Sequence, residues 1–459
     1  MPEPIVSGVR LRGFLRWFYP GLRVKRWIAF SCASMILVVA GILLAVGVDA
    51  LRTLYQSLPI HGAGRSTIIA LLLAVGMSGF ALSLSRLVRS VARGVAPLSQ
   101  EKTSSLLYRT RVLERGPRVV AIGGGTGLST VLRGLKRVTT NITAVVTMTD
   151  DGGSSGRLRR EIDALPPGDV RNCLLALAED EGRLSEYFQH RFTGLGELSG
   201  HSLGNLVLIG LEQATGGFDR AIEAMSHFLN VRGKVLPSTL AKIHLVAEME
   251  DGEQLQGETR IAEDPRRIRR VFLDAPAAPY DAVLDAIGDS DLIVLGPGSL
   301  FTSLIPDLLV EGVAAAIEES AAEKLLIANL MTQPGETDQF TLRDHLRVLS
   351  EYINLRRFDG LIVNDARPSE SMLSGYRVEA AEPVIDDLGE PNDYGLRVVR
   401  ADLLGSARWG GKETLKHSPE KLARTIVRHA TVFGPARRTE GSGISPSRRR
   451  AGGGARLAR

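Results

Sequence analysis

Arg118-Val119-Val120-Ala121-Ile122-Gly123-Gly124-Gly125-Thr126-Gly127-Leu128 runs from a short apolar segment into a glycine loop, and a helical pattern follows to about Arg137. An apolar run of this length suits a strand buried on both faces, and the glycines turn it tightly into the next helix. The pattern then repeats. Residues 142–148 are β-branched and apolar, and they end in Thr147-Met148-Thr149-Asp150-Asp151-Gly152-Gly153-Ser154-Ser155-Gly156-Arg157. Further strands of this kind read at 291–295, 325–330 and 360–363. Helical patterns lie near 169–180, 202–213, 217–230, 280–288, 308–320 and 341–353. Alternation of buried strands with helices predicts an α/β fold, a mainly parallel sheet covered by helices on both faces. One departure is 242–250, turning at Asp251-Gly252 into 254–261, which reads as an antiparallel hairpin.

Charge divides the 459-residue chain into parts. Residues 1–118 hold 16 Lys/Arg against 4 Asp/Glu, and residues 436–459 hold 7 Arg against one Glu. The stretch between them, 119–435, carries 13 more acids than bases. A nucleic-acid-binding body would need the opposite distribution, so nucleic acid is excluded as a partner. Two cysteines, Cys32 and Cys173, rule out a disulfide framework and a four-cysteine zinc site, and they suit a reducing compartment.

The basic N-terminal part contains two uncharged spans, at about 27–48 and 67–85, each long enough as a helix to cross a bilayer. Arg10, Arg12, Arg16, Arg23, Lys25 and Arg26 precede the first, and Arg86, Arg89 and Arg93 follow the second. The loop between offers only Arg52 and Arg65. The positive-inside rule then predicts a membrane hairpin over 1–93, with both termini and the main domain cytoplasmic. Trp17, Phe18, Tyr19 and Trp27 suit the interfacial belt, and small residues such as Gly41, Gly79 and Ser83 allow close packing of the two helices. Residues 94–117 read as a linker, 118–435 as the ligand-binding domain, and 436–459 as a disordered basic tail.

Ligands of open α/β sheets bind outside the carboxyl ends of the strands, so the loops there carry the chemistry. The Gly123–Gly127 loop either serves only as a tight turn or lets the backbone and a helix N-terminus meet a phosphate. Leu128 breaks the dinucleotide pattern, which disfavours a nicotinamide-dependent oxidoreductase, and no Lys-Ser/Thr follows to make a Walker loop. Asp150 and Asp151 can accept from sugar hydroxyls or help hold Mg²⁺ among phosphates, while Ser154 and Arg157 offer donors. Asp169, in Pro166-Pro167-Gly168-Asp169-Val170-Arg171-Asn172, can instead cap the helix that follows it. His201-Ser202-Leu203-Gly204-Asn205 opens another helix, Gly296-Pro297-Gly298-Ser299-Leu300 follows a strong strand, and Asn329 to Thr337 repeats the theme.

Taken in order, the segments Gly-Gly-Gly-Thr-Gly, Thr-Asp-Asp-Gly-Gly-Ser-Ser-Gly, Pro-Pro-Gly-Asp-Val-Arg-Asn, His-Ser-Leu-Gly-Asn, Gly-Pro-Gly-Ser-Leu and Met-Thr-Gln-Pro-Gly-Glu-Thr resemble the YvcK-type gluconeogenesis factors. These are relatives of the CofD 2-phospho-L-lactate transferases. The resemblance covers roughly 118–430 and implies a Rossmann-like fold that binds a UDP-sugar such as UDP-N-acetylglucosamine. It also implies a role in cell shape, envelope synthesis and gluconeogenic growth, with partners among cell-envelope synthesis proteins. Its ligand loops fall on Gly124, Gly125, Thr126, Asp150, Asp151, Ser154, Asn205, Gly298 and Ser299. Lys416 lies in a similar C-terminal segment, where Ser418 replaces an acid, and Tyr376 can stack on a uracil ring or serve as an ordinary tyrosine. Binding is expected to need no cofactor. The alternative is a CofD-like transferase with Mg²⁺ held near Asp150 and Asp151.

Overall fold

The computed structural model describes residues 24–46, 63–95, 113–194, 196–369, 373, 381–409 and 412–433. The chain forms two compact units, Met1–Arg109 and Thr110–Arg459.

In the first unit, helices α1 (Val24–Val46) and α2 (Ala63–Val95) pack on each other. Small residues line the seam. A Cβ on Gly76 would lie 2.7 Å from Val38 Cγ2, and one on Gly79 would lie 2.7 Å from Ser34 Oγ. The Ser31 and Ser83 hydroxyls are hydrogen-bonded across it. The faces away from the seam expose Ile36, Leu71 and Met77. Against the two expected spans, no single helix among the described residues is long and apolar enough to cross a membrane. The apolar helical segments are the shorter Phe30–Ile42 and Ala70–Arg86. The interfacial aromatics Trp17, Phe18 and Tyr19 and the expected tail at 436–459 lie outside the described residues.

The second unit is a Rossmann-like α/β fold. Its elements begin with β1 (Val119–Gly123), α3 (Gly125–Leu135), β2 (Ile142–Val146), α4 (Gly153–Ile162), α5 (Pro167–Leu177) and α6 (Glu181–Phe188). They continue with α7 (Leu203–Thr215), α8 (Phe218–Phe228), β3 (Lys234–Pro237), β4 (Leu245–Met249), β5 (Gln254–Gln256), α9 (Glu258–Glu263) and β6 (Ile268–Leu273). Next come α10 (Asp281–Asp289), β7 (Leu292–Leu295), α11 (Ile305–Leu309), α12 (Val313–Glu319), β8 (Glu323–Ile327), α13 (Leu342–Leu349) and β9 (Gly360–Asn364). The last are β10 (Arg397–Ala401), β11 (Leu404–Trp409), β12 (Lys412–His417) and α14 (Pro419–His429).

Seven strands form one parallel sheet in the order β10-β9-β8-β7-β1-β2-β3. Val119 pairs with Ile142 on one side and with Leu292 on the other. Because strand side chains alternate between faces, each strand feeds two cores. Val119, Ala121, Ala144, Val146 and Val294 enter one, under α3, α5 and α14. Val120, Ile122, Val145, Ile293 and Leu295 enter the other, with α10, α12 and α13. A branched residue on either face is therefore buried, which explains the unbroken apolar runs in the sequence.

The structure adjusts three expectations. The hairpin at Asp251-Gly252 forms, but β6 joins it in a three-stranded sheet, and the chain after β5 turns into α9 instead of continuing as a strand. The helix expected over 308–320 is broken between α11 and α12, with Gly312 at φ +76°. Residues 153–157, read as the end of a glycine and serine loop, instead open α4, which a run of four small residues did not announce.

Candidate functional site

From β1 the chain travels outward one way through β2 to β3, and the other way from β7 to β10. The crevice outside the carboxyl ends of β1 and β7 is therefore the topological switch point, where such sheets bind ligands. Loops after β1, β2, β7 and β8 meet there, and their glycines set the spacing. A Cβ on Gly124 would lie 2.5 Å from Thr147 Cγ2 and 2.7 Å from Asp169 Oδ2. A Cβ on Gly127 would collide with the Pro297 carbonyl oxygen. These two glycines are required by the protein's own packing. Gly125 is different, since its Cβ would meet almost nothing, and its φ of +60° strains a branched side chain through the backbone alone. Thr126, beside it, is exposed.

The Gly125 amide, the donor that the sequence offers to a phosphate, is already engaged. It donates to Asp169 Oδ2 at 2.6 Å. Asp169 stands in the first turn of α5, yet the expected cap on its own helix is absent, and Pro166 occupies that N-cap. Its carboxylate instead meets the N-terminus of α3. Burial, then the charge of Asp150, pushes the Asp169 carboxyl up to about 7, against the pull of Gly125 N–H and Arg171.

The two adjacent acids separate. Asp150 Oδ1 accepts from Gly152 N at 2.9 Å, and Gly168 leaves the room that Asp150 Oδ2 and Ser155 Oγ fill. Burial raises the Asp150 pKa, opposed by Gly152 N–H and Ser155. Asp151 Oδ1 accepts from both the backbone N and Oγ1 of Thr259, at 2.8 Å each, and so anchors α9. Asp151 is committed to structure; Asp150 and Asp169 are the pair that share a charged environment.

Two further carboxyls share this environment. Glu258 Oε2 has no hydrogen-bond partner, and burial, then Asp150, Asp169, Glu336 and Asp151, pushes its pKa well up. Glu336 Oε1 accepts from Thr302 Oγ1 at 3.1 Å, its other oxygen has no partner, and burial raises it to about 7. Glu258 was not legible as a site residue. It opens a short helix behind the hairpin, and only the pairing of Thr259 with Asp151 brings it to the crevice.

Opposite charge comes from Arg171, which is buried and donates to Ser202 Oγ, to Asn205 Oδ1 at 2.6 Å and to Asn172 Oδ1 at 2.9 Å. Burial, then Arg191, lowers it to about 10, which leaves it charged at neutral pH. Asn205 Nδ2 donates to Ser154 Oγ at 3.0 Å, and Ser154 is 2.9 Å from His201 Nδ1. Ser154, Asn205, Arg171 and His201 are thus one buried network that fixes α4, α5 and α7 together. On the far side, Gly298 N donates to Asn329 Oδ1 at 3.1 Å and Asn329 Nδ2 returns to Gly298 O at 2.8 Å. Gln333 Nε2 donates to Ser299 Oγ at 2.6 Å. These bonds clasp the loops after β7 and β8.

A cleft of about 500 Å³ continues at the ends of β8 and β9, lined in part by Asn329, Met331, Asn364, Arg367 and Pro383. Lys416, half-buried on β12, does not line it, although its neighbour Leu415 does. Burial, then Arg133, lowers the Lys416 pKa. Tyr376 lies outside the described residues. Among the described residues, no group of three or more His, Cys, Asp or Glu is placed to hold a metal ion.

Residues 119–404 match the family model described as 2-phospho-L-lactate transferase CofD. A gluconeogenesis factor from Bacillus subtilis is 44% identical over 312 residues, covering 68% of this chain and 97% of that protein. One from Halalkalibacterium halodurans is 52% identical over 310 residues, covering 67% of this chain and 95% of that protein. The chain belongs to the gluconeogenesis factor family, related to the CofD transferases. A family relative from Nostoc is 40% identical over 436 residues, covering 91% of this chain and 93% of that protein. The fold agrees as well. A crystal structure of a Bacillus halodurans protein superposes with a TM-score of 0.65 at 46% identity, covering 68% of this chain and all of that one. A second structure, of a protein described as a member of the UPF0052 family from the same organism, gives 0.64 at 46% identity over 67% of this chain and 99% of that one.

Proposed function

We propose that this protein is a membrane-tethered, cytoplasmic regulator that binds a UDP-sugar such as UDP-N-acetylglucosamine, acting in cell shape, envelope synthesis and gluconeogenic growth. The observation that carries the binding reading is the meeting of four loops at the switch point, with the exposed Thr126 at the helix end and beside it the Gly125 N–H, which a ligand would share with or take from Asp169. In this reading the diphosphate lies against the start of α3, where backbone donors and the helix dipole favour an anion. Asp150 accepts from sugar hydroxyls, and the cleft beside Asn329 and Asn364 takes the nucleobase. Support for tethering is the apolar outer faces of the α1–α2 pair and the arginines that flank it.

A second reading, a CofD-like transferase, is favoured by the shared environment of Asp150, Asp169 and Glu258. A carboxyl held neutral near pH 7 can give or take a proton at a reacting oxygen. The described side chains do not by themselves form a metal site, so no step is assigned to Mg²⁺. The experiment is to incubate the full chain with UDP-N-acetylglucosamine and hydroxyl acceptors, with and without Mg²⁺. Binding without turnover supports the regulator. Metal-dependent turnover that disappears in Asp150→Asn overturns it.

A further inference from the structure

The pole of the sheet opposite the candidate site is built from the first residues of the strands. It carries a groove of about 810 Å³ along β3, the outer strand of the sheet. Helices α8 and α10 wall it, and Ile222, Val235 and Leu236 give it an apolar floor. Asp219 and Glu223 on α8 and Asp285 and Asp289 on α10 form an acidic rim. The cations that line it are Arg118 and Lys234, and Arg118 is already paired with Asp289 at 3.9 Å and Asp291 at 3.5 Å. The negative field is felt by Tyr280, whose hydroxyl is pushed up by burial and then by Asp219, Glu223 and Asp281. An outer strand beside an apolar trough is where an extended segment adds by main-chain pairing. An acidic rim selects a basic one.

The chain holds such a segment. After Phe433 come 26 residues with 7 Arg and one Glu, rich in glycine, serine and proline. Phe433, the last described residue, lies at the same pole, because Thr431 N and Oγ1 donate to Glu323 Oε2 at 2.6 and 2.7 Å, and Glu323 opens β8. Four strand spacings separate β8 from β3, about 19 Å in all. Arg448 is 15 residues beyond Phe433, and a flexible chain of that length spans about 21 Å. A tether whose natural span matches the gap gives its end the highest effective concentration.

We propose that the basic segment 434–459 docks in the acidic groove along β3 of its own chain, with Arg448, Arg449 and Arg450 against Asp219, Glu223 and Asp285. The pairing is electrostatic at its rim, so it weakens as salt rises.

The test uses the full chain with Cys32→Ser, since Cys173 is buried and silent. A tail cysteine, Ser447→Cys, is combined with Ala282→Cys in the groove, or with Thr126→Cys at the opposite pole as a control, and disulfide formation is followed at low protein concentration. The groove pair is expected to couple within one chain at least tenfold faster than the control pair. Arg448, Arg449 and Arg450 changed together to Glu, which leaves the described fold untouched, should remove that advantage. Adding Asp219→Lys, Glu223→Lys and Asp285→Lys should restore it. Equal rates for the two pairs, or a rate indifferent to the tail charges, overturns the proposal. Coupling only between chains, seen on mixing the singly substituted proteins, also overturns it in favour of a second copy.

Discussion

The Asp169 carboxylate accepts a hydrogen bond from the Gly125 N–H, N to Oδ2 2.6 Å, across 44 residues of sequence. A side chain from α5 thereby occupies the end of α3 that the glycine loop presents to an anion. Both groups belong to the switch-point crevice, and a diphosphate arriving there must share or displace that bond. A carboxyl already pushed up to about 7 is the kind that can yield by taking a proton.

Affinity for an anionic ligand should therefore rise as pH falls from 8 to 6. Protonation of Asp169 removes a negative charge from beside the phosphate position. In Asp169→Asn, which keeps an acceptor for Gly125 N–H, affinity should be higher at pH 8 and much flatter across this range. Calorimetric titrations at pH 6, 7 and 8 read the difference. An unchanged pH profile in the folded variant would remove Asp169 from the site.

Folding stability carries the same signature. The folded protein keeps a proton on Asp169 through a range in which the unfolded chain, near 3.8, has lost it. Stability from this group is full below about pH 4 and is lost as pH rises through about 7. One such proton gives a slope of about 1.4 kcal/mol per pH unit at its steepest. Urea midpoints at pH 5 and 8 should lie closer together in Asp169→Asn than in the parent.

Asp150 and Asp151 should behave differently despite being neighbours. Asp151→Ala removes both bonds to Thr259 and should cost about 1 kcal/mol of stability, the usual scale for a lost helix cap. Its effect on binding should follow from that loss alone and be small where the protein is fully folded. Asp150→Asn should change affinity while leaving the urea midpoint nearly fixed or raised. The reverse pattern would exchange the two roles.

Gly127→Ala should destabilise the domain by roughly 1–3 kcal/mol, because its methyl group has no room beside Pro297. Gly125→Val meets open space but a left-handed backbone. It should weaken nucleotide-sugar binding more than it weakens the fold. Denaturation and titration of both variants separate a packing glycine from one at the ligand.

Topology has its own check, resting on the arginines around 27–48 and 67–85. Cysteines placed in 52–62 should label from outside intact cells, and those near 100 or 440 should not. Outside labelling at 440 would refute the cytoplasmic placement of the domain.

The parallel sheet was legible because both of its faces are buried, so each inner strand carries a continuous apolar run, such as Leu325-Leu326-Ile327 in β8 and Leu361-Ile362-Val363 in β9. The outer strands β3 and β10 were not, since Lys234 and Arg397 are exposed at their ends and only one neighbour holds each. Loops at the carboxyl ends were readable from their glycines and hydroxyls. Which donors remain for a ligand was not. Ser154 and Asn205 turn out to bond each other, Ser299 is held by Gln333, and Asp169 reaches a helix other than its own. Such partnerships are set by tertiary contact and leave no local pattern, and Glu258 is the clearest case.

Whether the crevice takes a UDP-sugar is read by calorimetric titration of the full chain with UDP-N-acetylglucosamine, with GDP and NAD(P) as comparisons. The UDP-sugar should bind at one site per chain, with little dependence on Mg²⁺ and weakened in Gly125→Val, and the others should bind much more weakly. Preference for GDP or NAD(P), or UDP-sugar affinity undiminished in folded Gly125→Val, would contradict it.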